Sequence, residues 1–129
     1  MTQRHAWTLV GVSGLITVAL GAMAAHGLSQ RLGDIELNAF TTGVRYQAWH
    51  TLASMGVLIW RQQQSLRGQR LTLWAWGVGM GLFCGSLYAL ALGAPHWLGP
   101  ITPLGGTALM VGWAALASSA WRWRVDQNR

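Results

Sequence analysis

The sequence predicts an all-α membrane protein with four transmembrane helices. Four apolar stretches follow one another with short polar connections, and each approaches the length of about 20 residues that a bilayer-spanning helix needs. Lipid cannot hydrogen-bond backbone amides, so each span is expected to be a helix. The predicted spans cover approximately residues 6–25, 40–60, 71–93 and 104–121. We therefore interpret residues 1–129 as a single membrane domain with no separate soluble domain.

The first span has features of a secretory signal. Arg4, the apolar run and the small residues around Met23 resemble a signal peptide with its cleavage site. The run is nevertheless long enough to cross a bilayer, so we expect it to remain as the first helix.

Each outer connection has its own prediction. The apolar period of Leu28, Leu32 and Ile35 indicates a short surface helix in the first loop. In the last loop, Pro100 and Pro103 predict a rigid turn with an extended residue before each proline.

The distribution of arginine predicts the orientation. Basic residues concentrate on the cytoplasmic side of membrane proteins. The first hairpin loop has a single arginine, opposed by two acids, and the segment 94–103 has none. The other segments carry Arg4, then Arg61, Arg67 and Arg70, and finally Arg122, Arg124 and Arg129. We therefore expect a multi-pass protein of a bacterial-type inner membrane with both termini cytoplasmic.

The net charge of +6 indicates a lipid partner. In a nucleic-acid-binding protein the basic side chains form a patch that neutralises phosphates. Here they flank the spans, where anionic head groups at the inner face supply the counter-charge. We therefore expect no nucleic acid partner.

Small residues predict where helices pack closely, because they let backbones approach in lipid. Gly77, Gly81 and Gly85 recur at steps of four in the third span, and Gly21 belongs to a similar face of the first span. We favour packing within the bundle over a homo-oligomer seam. Both alternatives stay open, as does contact with another membrane protein.

Polar residues inside the spans are the candidates for a functional site, since each is costly to place in lipid. Most lie on the second span, with Thr42, Tyr46 and His50 on one helical face and Gln47 on its flank. The predicted outer polar cluster contains His26, Thr42, Arg45, Tyr46, Gln47, His50, Cys84, Ser86, Tyr88 and Thr102.

No pattern in the sequence indicates catalysis. There is no nucleotide-binding loop, no nucleophile with a base and no pair of intramembrane carboxylates. His50 and Cys84 would lack the remaining ligands of a metal site, and His26 and His50 lie at depths too different for the axial ligands of one haem. We expect no catalytic residue, metal or cofactor, and hence no enzyme.

Four motifs together resemble the YgdD-like small inner-membrane proteins. The motifs are GAMAAHGL at 21–28, TGVRYQ at 42–47 followed by His50, LFCGSLY at 82–88, and ITPLGG at 101–106 followed by Gly112-Trp113. The resemblance implies a four-helix membrane protein whose biochemical role is not established. It also implies an outward-facing polar mouth. The family more often has other residues at Met23 and Ala24, and other polar residues at Arg45.

Two function classes follow from these observations. The favoured one is a non-enzymatic module that associates with lipid or with a larger membrane complex, in which the polar cluster fixes helix register. The alternative is a minimal carrier or ligand-binding protein whose polar site opens to the outer side.

Overall fold

The computed structural model describes the backbone of residues 1–127 and the side chains of residues 1–123. Its α-helices are α1 (Gln3–Ala25), α2 (Asp34–Gln63), α3 (Arg67–Ala91) and α4 (Ile101–Gln127), with 3₁₀ turns at Leu28–Gln30 and His96–Leu98. These described residues contain no strand, which confirms the all-α class. The side chains of Arg124 and Arg129, used above to predict orientation, lie outside the described residues.

Three segments are long and apolar enough to cross a membrane: Gln3–Gln30, Arg67–Ala91 and His96–Trp123. α2 is not among them, because polar side chains interrupt its apolar surface. It is nevertheless 30 residues long, or about 45 Å. It packs against both α1 and α3, while α3 also packs extensively against α4.

All four helices begin before their predicted spans, and local sequence explains the starts of α2 and α4. α2 begins at Asp34, and Asp34 and Glu36 in its first turn interact favourably with the helix macrodipole. α4 begins at Ile101 and includes Thr102, while Gly99 has right-handed helical backbone angles. The prediction of an extended turn at these positions is therefore wrong. Pro103 fits in the first helical turn because a backbone N–H there has no partner within the helix.

α3 and α4 form a close antiparallel seam. Small residues allow the approach: a Cβ at Gly79 would lie 3.0 Å from the backbone nitrogen of Leu109, and one at Gly105 would lie 2.7 Å from Cα of Phe83. Thr72 donates a hydrogen bond across the seam to the carbonyl oxygen of Gly112 at 3.1 Å. On each helix the seam residues recur at alternating steps of about three and four, the spacing of helices packed nearly side by side.

The predicted packing role of Gly77, Gly81 and Gly85 is not found within the described chain. A Cβ added at any of the three meets no heavy atom within 4 Å. They lie on a different face of α3 from the seam residues, which recur at alternating steps of three and four. Gly21 does lie against a neighbouring helix, since its added Cβ would be 3.6 Å from Val44 of α2.

The connection between α2 and α3 is fixed by Gln69, a fully buried residue. Its Oε1 accepts a hydrogen bond from the backbone nitrogen of Leu66 at 2.9 Å, and its Nε2 donates to the carbonyl oxygen of Gln64 at 3.0 Å. These two bonds satisfy loop backbone groups that would otherwise lack partners. They thereby hold the arginine-rich end of the bundle in one conformation.

Candidate functional site: a groove between α1 and α3

A groove lies between α1 and α3, with α2 as its floor. α1 and α3 both pack on α2 but make little contact with each other, and the groove between them has a volume of about 980 Å³. Ligand sites in proteins commonly measure about 300–1,000 Å³. We call this feature the lateral groove; its lining includes Ile16 of α1, Gln47, Thr51 and Ser54 of α2, and Gly77 and Gly81 of α3.

The walls of the lateral groove are apolar. α1 contributes Leu9, Val12 and Ile16, which are exposed. The opposite wall contains Gly81 and its two neighbours at steps of four, and the space above these glycines is open. A glycine wall presents no side chain, so a guest molecule can approach the α3 backbone closely.

The floor carries a hydrogen-bonded network centred on Gln47. Its Nε2 donates to the carbonyl oxygen and to Oγ of Ser13 at 3.2 and 3.3 Å, and its Oε1 accepts from the hydroxyl of Tyr88 at 2.7 Å. Ser13 Oγ also lies 2.7 Å from Oγ1 of Thr51. One buried amide therefore links α1, α2 and α3 toward the end of the groove that lies away from Arg61 and Arg70.

The two ends of the groove differ in charge. Arg61 and Arg70 line one end, together with polar residues of the α2–α3 connection, whereas Cys84 and Tyr88 lie toward the other. Cys84 is buried. The arginines therefore give the groove a cationic end.

His50 lies outside the groove among aromatic residues of α2, α3 and α4. Its Nδ1 lies 2.7 Å from the carbonyl oxygen of Tyr46, and its Nε2 lies 3.0 Å from the indole nitrogen of Trp113. A carbonyl only accepts and an indole N–H only donates, so Nδ1 carries the proton and Nε2 accepts. Both ring nitrogens of His50 are therefore hydrogen-bonded.

The structure does not gather the predicted outer polar cluster into one cavity. Ser86 and Thr102 bond each other at 2.6 Å across the α3–α4 seam, while Gln47 and Tyr88 meet beneath the groove. Thr42 donates a hydrogen bond within its own helix, to the carbonyl oxygen of Asn38. The remaining members occupy separate places: His26 and Arg45 are exposed, His50 and the half-buried Tyr46 lie in the aromatic region, and Cys84 is in the groove wall.

Sequence reasoning missed several residues of the groove. Ser13 is not among the predicted polar residues, although its hydroxyl takes part in the floor network. The sequence predicts that Arg61 and Arg70 set the orientation and meet anionic head groups, but not that they line a cavity. Thr51 and Ser54 follow His50 at positions that become buried on α2. Hydroxyl groups in the middle of a span are costly in lipid, so their position could have identified these two residues as candidates.

Comparison with known proteins identifies the family. Residues 20–106 match the family model described as "Protein of unknown function (DUF423)". A UPF0382 membrane protein of Haemophilus influenzae is 44% identical over 115 residues, which cover 89% of this chain and 92% of the relative.

Two further relatives extend the comparison. The inner membrane protein YgdD of Escherichia coli K12 is 38% identical over 128 residues, which cover 95% of this chain and 93% of the relative. The membrane protein YwdK of Bacillus subtilis is 37% identical over 113 residues, 87% of this chain and 92% of the relative. No solved structure matches. The predicted resemblance is thus confirmed: the chain belongs to the DUF423 family of UPF0382 membrane proteins, which includes YgdD.

Proposed function

We propose that this protein is a non-enzymatic inner-membrane protein whose lateral groove takes up an apolar molecule from the bilayer. The observation that carries the proposal is an open glycine wall at Gly77, Gly81 and Gly85 facing a cavity of about 980 Å³. The apolar walls favour a hydrocarbon guest. This function develops the lipid-associated module that the sequence favours.

The proposal includes four membrane crossings. Ser13 bonds Thr51, which in turn reaches the sulfur of Met80 at 3.8 Å. α1, α2 and α3 therefore lie side by side at the same level. α1 and α3 have spanning length and composition, so α2 between them crosses as well. Its polar side chains are compatible with lipid because the bundle buries them.

Both termini are placed on the cytoplasmic side in this proposal, from the arginine distribution. To test this orientation, alkaline phosphatase or a fluorescent protein is fused to the C-terminus of the protein. Alkaline phosphatase is active only outside the cytoplasm. We expect cells with the fluorescent-protein fusion to fluoresce and cells with the phosphatase fusion to lack phosphatase activity. Phosphatase activity at the C-terminus would reverse the assigned orientation.

A structural role for the intramembrane polar groups supports the non-enzymatic assignment. Both nitrogens of His50 are occupied, and Gln47 uses both its amide oxygen and its amide nitrogen. Interhelical bonds of this kind stabilise helix register in membranes. A proton carrier would instead need a group that is free to gain and lose a proton.

Native mass spectrometry of the gently solubilised protein tests groove occupancy. The wild-type protein is expected to retain one bilayer molecule per chain. Gly81→Leu fills the groove and should lose that molecule. Gly56→Leu is the matched control, because Gly56 is exposed, has open space at its Cβ and does not line the groove.

Each outcome of this experiment is decisive. Retention by Gly56→Leu and loss by Gly81→Leu would support the groove as the binding site. Equal retention by both variants would overturn it. A stoichiometric protein partner or second copy, displaced by Gly81→Leu, would instead make the groove a protein interface and would also overturn the proposal.

A further inference from the structure

We propose that the lateral groove selects a bilayer lipid with an anionic phosphate head group. Arg61 and Arg70 bind the head group at the end of the groove near the α2–α3 connection, and the acyl chain lies along Gly77, Gly81 and Gly85. This inference rests on the proposed function and names the chemistry of the guest molecule.

Charge at the arginine end of the groove carries the argument. Arg61 is half-buried and Arg70 is exposed, and both line the cavity. The carboxylates whose side chains are described, Asp34 and Glu36, begin α2, whereas Arg61 is near its end. Along the helix, Arg61 is therefore about 37 Å from Glu36 and farther from Asp34. A head-group phosphate can supply counter-charge to both arginines through charge-assisted and bidentate hydrogen bonds.

The length of the groove fits a lipid chain. Along α3, the distance from Arg70 to Gly85 corresponds to about 22 Å, and both residues line the cavity. The hydrocarbon core of a bilayer is about 30 Å thick, so one leaflet contributes about half of that. A head group at Arg70 therefore leaves enough groove for a complete acyl chain from the same leaflet.

A lipid suits this site better than an apolar helix of a second copy. Such a helix would withdraw water from Arg61 and Arg70 without neutralising them, and burying an uncompensated charge is costly. A lipid keeps its head group at the interface, where arginine side chains reach it while their stems stay on apolar surface.

The test measures lipid affinity by native mass spectrometry on delipidated protein. The probes are phosphatidylglycerol and phosphatidylcholine with identical acyl chains. We expect the wild-type protein to bind phosphatidylglycerol roughly thirtyfold more tightly, which corresponds to about one favourable charge interaction for each arginine. Arg61→Gln and Arg70→Gln should each reduce this preference about fivefold.

Arg67→Gln is the matched control for these variants. Arg67 begins α3, is exposed, and does not line the groove. Arg67→Gln removes the same charge near the same connection. If the effect belongs to the groove, this variant should keep a preference for phosphatidylglycerol within about twofold of the wild-type value.

The outcomes separate this inference from the proposed function. If both lipids bind equally, and Gly81→Leu still abolishes binding, the groove is a lipid site but the anionic selectivity is refuted. If Arg67→Gln weakens the preference as much as Arg61→Gln, the attraction belongs to the general surface charge and the inference fails. If neither lipid binds the wild-type protein, both proposals fail.

Discussion

Alanine substitutions at two glycines are predicted to change stability in opposite directions. Gly105 lies in the α3–α4 seam, where an added Cβ would overlap the backbone nitrogen of Phe83 and lie 2.7 Å from its Cα. Gly81 lies in the groove wall, where an added Cβ meets no heavy atom within 4 Å. Both glycines are inside α-helices, so replacement by alanine improves helix propensity equally at each site.

The magnitudes follow from two opposing effects. Replacing a helical glycine by alanine stabilises the helix by up to about 1 kcal/mol. Overpacking costs about 1–3 kcal/mol, and more where the obstructing atoms are backbone that cannot rotate away. Gly81→Ala is therefore expected to raise the free energy of unfolding by as much as ~1 kcal/mol, and Gly105→Ala to lower it by ~1–2 kcal/mol.

The assay is unfolding by sodium dodecyl sulfate in mixed micelles, followed by tryptophan fluorescence. The difference between the two variants isolates the packing cost, because their propensity gains cancel. Equal stability of Gly105→Ala and Gly81→Ala would refute the close seam. Destabilisation by Gly81→Ala would show instead that the groove wall packs against something in the folded protein.

Hydrogen bonds at three further sites can be tested in the same unfolding assay. Gln69→Leu leaves one donor and one acceptor of the α2–α3 connection unpaired and should cost ~2–4 kcal/mol. Trp113→Phe removes the donor to His50, and a double-mutant cycle with His50→Leu should give a coupling of ~0.6 kcal/mol, near the average for membrane interhelical bonds. Tyr88→Phe removes one bond to Gln47 and should cost about the same, so a neutral result at either aromatic residue would contradict the bond drawn there.

The helices were predictable from sequence because bilayer thickness and backbone hydrogen bonding leave few alternatives. Their ends were less predictable. The prolines before Leu104 were expected to end regular structure, but Pro103 is accommodated in the first turn of α4. The start of α2 was missed because its first turn is polar, and a hydropathy pattern does not register polar helix. The helix start could have been inferred from Gly33, Asp34 and Glu36, which are residue types typical of a helix N-terminus.

The sequence does contain the pattern of the α3–α4 seam, but its spacing differs from the regular steps of four on which the packing prediction was based. Gly105, Leu109 and Gly112 recur at steps of four and three, as do the opposing residues Thr72, Trp76 and Gly79. This alternation marks a face that stays in register with a nearly parallel neighbour. Gly77, Gly81 and Gly85, at regular steps of four, form a smooth face, but their spacing does not indicate what covers that face.

The floor of the groove was only partly predictable. The polar residues of α2 were identified as a group, but Gln47 was placed on the flank of a face centred on His50. In the structure both residues are buried and serve different neighbours, since Gln47 contacts α1 and α3 whereas His50 contacts α4. Several helices surround α2, so no single face of it is the polar one. The groove itself depends on how α1 and α3 sit on α2, which a sequence period does not encode.

The polar network and the open groove are linked by Gln47. Its amide ties Ser13 of α1 and Tyr88 of α3 to α2, so it holds both walls in place while its own polar groups are satisfied. Satisfied polar atoms are tolerated in an apolar setting, whereas free ones are costly. The floor can therefore underlie a hydrocarbon chain without offering it unpaired donors, and charge is confined to the end where Arg61 and Arg70 lie. This division into a neutral interior and a cationic end is the arrangement that an anionic amphiphile requires.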